Sequence, residues 1–212
     1  MAASSEVRII AGEFRGRRLS VPKGGATRPT AQRVREGIMS ALESRDLIRG
    51  AVVLDLFAGT GACGLECLSR GASEAHFVDS SSHAIRAISN AARAWGASSR
   101  VRALQADVFR STRELRRTLR VDQGYDLVFV DPPYDRFDDA MGWIEQWVRF
   151  SFEPTAPRLV AARGWLVLEN ARRDPPPEYK WFEECHGYLY GDTRVTLARP
   201  MIPSEPMEGQ SP

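Results

Sequence analysis

No uninterrupted apolar run in this 212-residue chain approaches the ~20 residues that cross a bilayer, so no membrane span is expected. The opening residues, Met1 to Glu6, lack a basic flank followed by an apolar core, so no secretory signal is expected either. Cysteine is scarce. Cys63, Cys67 and Cys185 are odd in number and lack the spacing of a disulfide scaffold. Cys63 and Cys67 would lie one turn apart on a helix, as half a metal site would, but they read better as small core residues. Histidine is equally rare, and His76, His83 and His186 form no cluster with the cysteines. The expectation is a cytoplasmic, metal-free protein. Lysine is nearly missing: of 29 basic residues only Lys23 and Lys180 are lysines. Arginine's planar fork suits bidentate contact with phosphate, although a GC-rich genome gives the same bias.

What is present is an ordinary core-forming composition, 43% hydrophobic and 26% charged. The formal net charge of +2 conceals an asymmetry. Residues 1–35 carry Arg8, Arg15, Arg17, Arg18, Lys23, Arg28, Arg33 and Arg35 against only Glu6 and Glu13, a surplus of six, which leaves the remainder at −4. A basic arm on a mildly acidic body suggests a polyanionic partner, and the bland alternative is a solvated charged edge.

Periodicity sets the organisation. Val7–Ala11 and Arg17–Val21 read as two short strands around a turn near Gly12–Gly16, followed by a loop over Pro22–Thr30. Val34, Ile38, Ala41 and Leu42 recur at helical spacing, which predicts a helix over Ala31–Arg45 capped by Thr30. Val52–Phe57 is an apolar run broken by one acid, as in a buried parallel strand. Beyond it, helices over Ala62–Arg70, Ser82–Trp95, Val108–Leu119 and Asp135–Phe150 alternate with strands over Glu74–Asp79, Val101–Ala106, Tyr125–Asp131 and Gly164–Glu169. An antiparallel pair between Trp181 and Leu197 closes the series. The fold class is α/β: a Rossmann-like, mostly parallel sheet with helices on both faces and a small N-terminal β-hairpin. The division expected is residues 1–30 as basic hairpin and loop, 31–199 as the α/β domain, and 200–212 as a disordered tail.

Such sheets bind ligands beyond the carboxyl ends of their strands. The first parallel strand ends in Asp55-Leu56-Phe57-Ala58-Gly59-Thr60-Gly61. Gly59 and Gly61 permit a tight turn and close backbone approach to a ligand at the next helix's N-terminus. Taken alone the glycines also satisfy a dinucleotide pattern, with Asp79 about 20 residues on as a ribose-binding acid. Two acids favour S-adenosylmethionine instead of NAD. Asp55, inside the strand, needs a partner, and the ammonium of a methionine moiety is one. Asp107, at the end of the third parallel strand, can meet adenine's amino group. The cofactor set is Asp55, Phe57, Ala58, Gly59, Gly61, Asp79 and Asp107.

The most specific signal is Asp131-Pro132-Pro133-Tyr134 at the end of the next strand. An exocyclic amine on a base has its lone pair delocalised into the ring. Acceptors around its two N–H groups localise that pair, and the Asp131 carboxylate and the Pro132 carbonyl can serve. Prolines fix the loop and add no N–H of their own. Tyr134 offers a ring on which an extruded base can stack.

In order, Arg8-Ile9-Ile10-Ala11-Gly12, Arg15-Gly16-Arg17, Arg28-Pro29-Thr30, Arg33-Val34-Arg35-Glu36, the Asp55–Gly61 run, Leu68-Ser69-Arg70-Gly71-Ala72, Asp131-Pro132-Pro133-Tyr134 and Tyr190-Gly191-Asp192-Thr193 together resemble the RsmD family of bacterial ribosomal RNA methyltransferases. The resemblance runs from about Val7 to Leu197. It implies a class I methyltransferase fold, S-adenosylmethionine as cofactor, and N2 of a guanine in small-subunit rRNA, free or in a 30S assembly intermediate, as acceptor. It implies that Asp79 holds the ribose hydroxyls and Asp107 the adenine, that the hairpin contacts RNA through Arg8, Arg15, Arg17, Arg18, Arg28, Arg33 and Arg35, and that the Arg28-Pro29-Thr30 loop borders the active site. A monomer is expected. Gln32 stands where the family usually has Asp, and Asp79 where it usually has Glu. Two other readings compete: a DNA adenine-N6 methyltransferase, which also uses Asp-Pro-Pro-Tyr, and a non-catalytic RNA-binding assembly factor.

Overall fold

A computed structural model of the chain describes residues 7–20, 29–110, 123–133, 136–150, 159–173 and 182–201. At the N-terminus β1 (Val7–Arg8) and β2 (Arg18–Leu19) pair antiparallel, with Val7 opposite Leu19. These strands are shorter than the sequence pattern suggests. The reason is a competing acceptor: the amides of Ile10 and Ala11 donate to the Glu66 carboxylate, at 2.8 and 3.0 Å, and not to a facing strand.

The main sheet has seven strands: β3 (Val52–Leu56), β4 (Glu74–Asp79), β5 (Val101–Gln105), β6 (Tyr125–Val130), β7 (Val160–Ala171), β8 (Phe182–Tyr190) and β9 (Thr193–Pro200). Their spatial order is β5-β4-β3-β6-β7-β9-β8. The first five run parallel, and the β7–β9 and β8–β9 pairs are antiparallel. β7 begins four residues before the expected Gly164, because a register irregularity lets both Val160 and Trp165 pair with the same stretch of β6.

The helices are α1 (Pro29–Glu43), α2 (Ala62–Ser69), α3 (Ser82–Ala94) and α4 (Phe137–Phe150). α1 starts earlier than expected, and Thr30 lies inside it where a cap was anticipated. Proline suits the first turn of a helix, where no N–H is needed. The helix expected beyond Val108 falls mostly outside the described residues, as do most of the Pro22–Thr30 loop and the tail from residue 202.

Strand alternation sorts the side chains into two cores. Val53, Phe77, Leu127, Phe129 and Val167 face the α1, α2 and α3 side with Leu65, Ile38 and Ile88. Leu54, Leu56, Val128, Val130, Leu166 and Leu168 face α4, meeting Ala140, Trp143, Ile144 and Trp147. Every parallel strand therefore ends at the same edge of a two-sided core, and that edge carries the chemistry. Among the described residues no helix is long and apolar enough to cross a membrane.

The hairpin is clamped to α2. Glu66 is fully buried, bonded to the two hairpin amides and to Arg70, whose guanidinium also reaches Glu43 of α1 at 2.6 Å. Ser69 Oγ accepts from the Phe14 amide at 2.9 Å and donates to the Ala11 carbonyl. Gly12 makes the approach feasible: its φ is +81°, and a Cβ there would sit 1.8 Å from the Ser69 carbonyl oxygen.

Replacing Glu66 leaves two part-buried amides without their acceptor and Arg70 with Glu43 alone. Glu66→Ala is expected to lower unfolding free energy by about 2–5 kcal/mol in urea titration. It should also open the 7–20 segment to limited proteolysis, and wild-type stability would mean the clamp is energetically idle.

Candidate active site

The loop after β3 is built from left-handed residues. Phe57 has φ +60°, unusual for a residue with a side chain, and Gly59 and Gly61 have +53° and +73°. The Ala58 amide donates to Val78 and the Gly61 amide to Ala58, so the loop closes on β4 before α2 begins. The two glycines then do different jobs. A Cβ on Gly59 would meet only the Phe57 carbonyl at 3.9 Å, so this side of the loop is open. A Cβ on Gly61 would lie 2.7 Å from Ile88 Cγ1, so Gly61 serves helix packing and sits back from the cleft.

The carboxylates at the strand ends lie where the sequence pattern puts them. Asp79 closes the turn, its Oδ2 accepting from the Gly59 amide and its Oδ1 from Ser81, both at 2.8 Å. Asp107 Oδ1 accepts from the Phe109 amide at 3.0 Å. Both face a cleft of about 550 Å³, lined also by Phe57, Phe109, Asp131 and Arg136. The Phe57 and Phe109 rings lie 5.3 Å apart, and the Arg136 guanidinium stands 4.0 Å from the centre of the Phe109 ring. A smaller chamber of about 230 Å³ opens behind it, lined by Arg35, Asp55, Gly59, Thr60, Glu169 and Asp131 among others. Phe57 and Asp131 border both spaces.

Asp55 is 5% exposed, and the hydrogen bond it receives comes from the Gly64 amide in α2, at 3.0 Å. Burial pushes its carboxyl up to about 8; the Gly64 N–H pulls the other way, and the charges of Asp131 and Asp79 add to the rise. Asp131 follows Val130, and Glu169 follows Leu168, and these two are register partners across β6 and β7. The acids therefore sit side by side. Asp131 is open to solvent through the larger cleft, yet the protein around its carboxyl raises its pKa. Glu169 is raised by burial and then by the Asp131 charge. Among the described residues no ion pair neutralises Asp55, Asp131 or Glu169. Three carboxyls in one pocket without a counter-cation suit a cationic ligand, and S-adenosylmethionine carries a sulfonium and an ammonium. The open face of Gly59 gives such a ligand backbone to lie against. Asp55, Gly59 and Glu169 fit the inner part, and Asp79, Asp107, Phe57 and Phe109 the outer, with Asp131 on the border between them.

On the acceptor side, Pro132 is buried and the Pro133 carbonyl takes the Arg136 amide at 2.8 Å. No amide among the described residues donates to the Pro132 carbonyl, which keeps it available as an acceptor. Tyr134 and Arg28 lie outside the described residues. Arg8, Arg15, Arg18 and Arg33 are exposed. Arg17 is exposed too, but it is docked, with Nη1 donating to the Ala94 carbonyl at 3.3 Å and its guanidinium beside the Phe14 and Trp95 rings. Arg35 departs from the expected RNA-facing set: it is 6% exposed and faces the inner chamber.

Glu169 and Arg35 are two of the site residues that the sequence reading left unassigned to the cleft. Both had a signal. Glu169 closes the strand expected over Gly164–Glu169, as Asp79 and Asp131 close theirs. Arg35 sits three and four residues before Ile38 and Met39, on the apolar stripe of its helix.

Asp55 gives a proton-linkage prediction. Its pKa of about 8 means it is largely neutral at pH 7 in the free protein. A bound cation favours the charged form, so binding should expel a proton and affinity should rise as pH moves from about 6 to 8. Calorimetric titration of S-adenosylmethionine in buffers of different ionisation enthalpy counts that proton. Asp55→Asn should reduce the release, leaving what Glu169 and Asp131 contribute, and equal release in the variant would remove Asp55 from the linkage.

Comparison with known proteins follows the same lines. The family model described as conserved hypothetical protein 95 matches residues 7–199. The chain is 34% identical over 170 residues to Ribosomal RNA small subunit methyltransferase D of Escherichia coli K12, covering 79% of this chain and 73% of that protein. It is 35% identical over 180 residues to the protein of the same name in Haemophilus influenzae, covering 82% and 83%. Among solved structures it is similar to yhhF of Escherichia coli, with TM-score 0.72 and 26% identity over 93% of this chain and 99% of that one. A hypothetical protein of a Thermus species superposes with TM-score 0.71 and 27% identity over 91% and 99%.

Proposed function

From the premise that the chain belongs to the RsmD family of small-subunit ribosomal RNA methyltransferases, we propose that its cleft methylates the N2 amino group of a guanine in 16S rRNA, with S-adenosylmethionine as methyl donor. The observation that carries this reading is the position of Asp131. It borders both the chamber beneath the glycine loop and the open cleft, so an acceptor held there lies next to a bound cofactor.

The cofactor supplies a methyl group made electrophilic by its sulfonium. The protein's own residues do the rest. Asp131 and the Pro132 carbonyl take the two N–H groups of the base amine and localise its lone pair, and Tyr134 provides a stacking face. Asp79 and Asp107 hold the nucleoside end of the cofactor, and Asp55 its ammonium. Most of the acceleration is positioning, since a single displacement needs the amine nitrogen, methyl carbon and sulfur in line. Residues 1–30 act as the RNA-contacting arm on the 31–199 catalytic body. The enzyme works in the cytoplasm as a monomer, on rRNA free or in a 30S assembly intermediate.

A DNA adenine methyltransferase needs a region that reads base edges in the major groove. Between the glycine loop and β6, the described residues are used by α2, β4, α3 and β5, which belong to the sheet itself. A non-catalytic assembly factor would have no use for acids at four successive strand ends.

Asp131→Ala should lower single-turnover methylation of 30S particles lacking the modification by roughly 10²-fold, with cofactor affinity little changed. Tyr134→Ala should weaken productive RNA binding by about 1–3 kcal/mol, while Tyr134→Phe stays active. Wild-type rates in Asp131→Ala, or equal damage in both tyrosine variants, would reverse these roles.

The arm is tested by charge. Arg15 and Arg33 are exposed. The Arg15→Ala, Arg33→Ala double variant should flatten the salt dependence of RNA affinity by about one unit of slope per lost phosphate contact, leaving cofactor binding intact. An unchanged slope makes these arginines a solvated edge.

A further inference from the structure

Arg35 is a buried cation in a chamber whose other charged lining residues are the acids Asp55, Asp131 and Glu169, and among the described residues it forms no ion pair with them. It lies on the inner face of α1 and is 6% exposed. One Nη2 donates to the Arg8 carbonyl at 2.9 Å. Its Nε is buried and has no hydrogen-bond partner among the described residues. The same chamber is lined by Asp55, Gly59, Thr60, Cys63 and Glu169, and among the described residues no ion pair joins Arg35 to any of these carboxyls. Buried guanidinium groups are almost always matched by acceptors, and a guanidinium that lines a cavity with donors to spare marks a place for one.

The identity of that acceptor follows from reach and charge. An RNA backbone phosphate approaches from outside, and a side chain this enclosed is beyond it. A small ligand inside the chamber is not so limited. It must satisfy both the carboxyls and the planar cation that line the same chamber, which describes an amino acid zwitterion. Arginine's fork matches a carboxylate with two parallel hydrogen bonds.

We propose that Arg35 binds the α-carboxylate of the cofactor's methionyl moiety, in the chamber whose acids receive its ammonium. This rests on the S-adenosylmethionine reading above. The contact has a second consequence, because the same guanidinium holds the Arg8 carbonyl: the base of the N-terminal hairpin and the tail of the cofactor share one side chain.

The test compares two ligands on the full-length protein by calorimetric titration. S-adenosylmethionine carries the carboxylate, and decarboxylated S-adenosylmethionine lacks it. Arg35→Gln should weaken S-adenosylmethionine about 10- to 100-fold, the range for a charged hydrogen bond, and change the decarboxylated ligand by less than about twofold. Arg35→Lys keeps the charge without the fork and should fall between. Circular dichroism and thermal melting establish that both variants are folded, and the lysine variant carries the comparison if the glutamine variant is not. Equal weakening of the two ligands makes Arg35 a strut for the Arg8 carbonyl and overturns the proposal, as does unchanged affinity for both. If the wild-type protein binds neither ligand, the cofactor reading itself fails, a result distinct from either of these.

Discussion

A carboxylate out of contact with water needs donors, and this molecule meets the requirement in two opposite ways. Glu66 receives two backbone amides and an arginine, and it is a completed unit that builds structure. Asp55 receives a single amide, from Gly64, and burial raises its proton affinity, as the surrounding protein also raises those of the more open Glu169 and Asp131. Glu66 and Asp55 are both tied to α2, Glu66 within the helix and Asp55 bonded to its Gly64 amide. One short helix is thus pinned to the hairpin through filled valences and borders the cleft beside unfilled ones. The stable part of the fold and the receptive part differ in how completely their charges are answered.

That contrast shapes the cleft. Its outer portion presents Asp79 and Asp107 with their backbone hydrogen bonds in place, which fixes their orientation before any ligand arrives. Its inner portion holds groups whose charge states respond to what binds. Phe57, in a left-handed conformation at the junction, keeps the loop from running on as regular strand, and such backbone strain persists only where surrounding structure holds it. Here the Ala58 amide on Val78 and the Asp79 carboxylate on Gly59 do so.

Much of this was legible in the sequence because it is periodic. The near-continuous apolar runs along β3, β6 and β7 predict a sheet buried on both sides, and the acids at or near strand ends predict a site at one edge. The parts that escaped are those where composition and periodicity disagree. Arg35 belongs to a basic run, and counting charge assigns it to the surface, while its spacing from Ile38 and Met39 assigns it to the core; spacing was right. Glu66 is harder, since a glutamate beside an arginine on a helix reads as a solvated pair, and only the fold brings the Ile10 and Ala11 amides across some 55 residues to meet it. The hairpin's length was misjudged for the same reason. Glu169 is a plain omission: the rule that selected Asp131 selects its neighbour as well.

The clamp between hairpin and α2 also bears on how such proteins diversify. Gly12 fits because its missing side chain leaves room for the Ser69 carbonyl, and Ile10 and Ala11 fit because Glu66 faces them. A hairpin of different sequence would arrive without that match. The transferable module is therefore not the hairpin but the hairpin together with α2, and since α2 opens at the glycine loop, recombination that exchanges one hairpin for another must carry part of that loop's helix along with it.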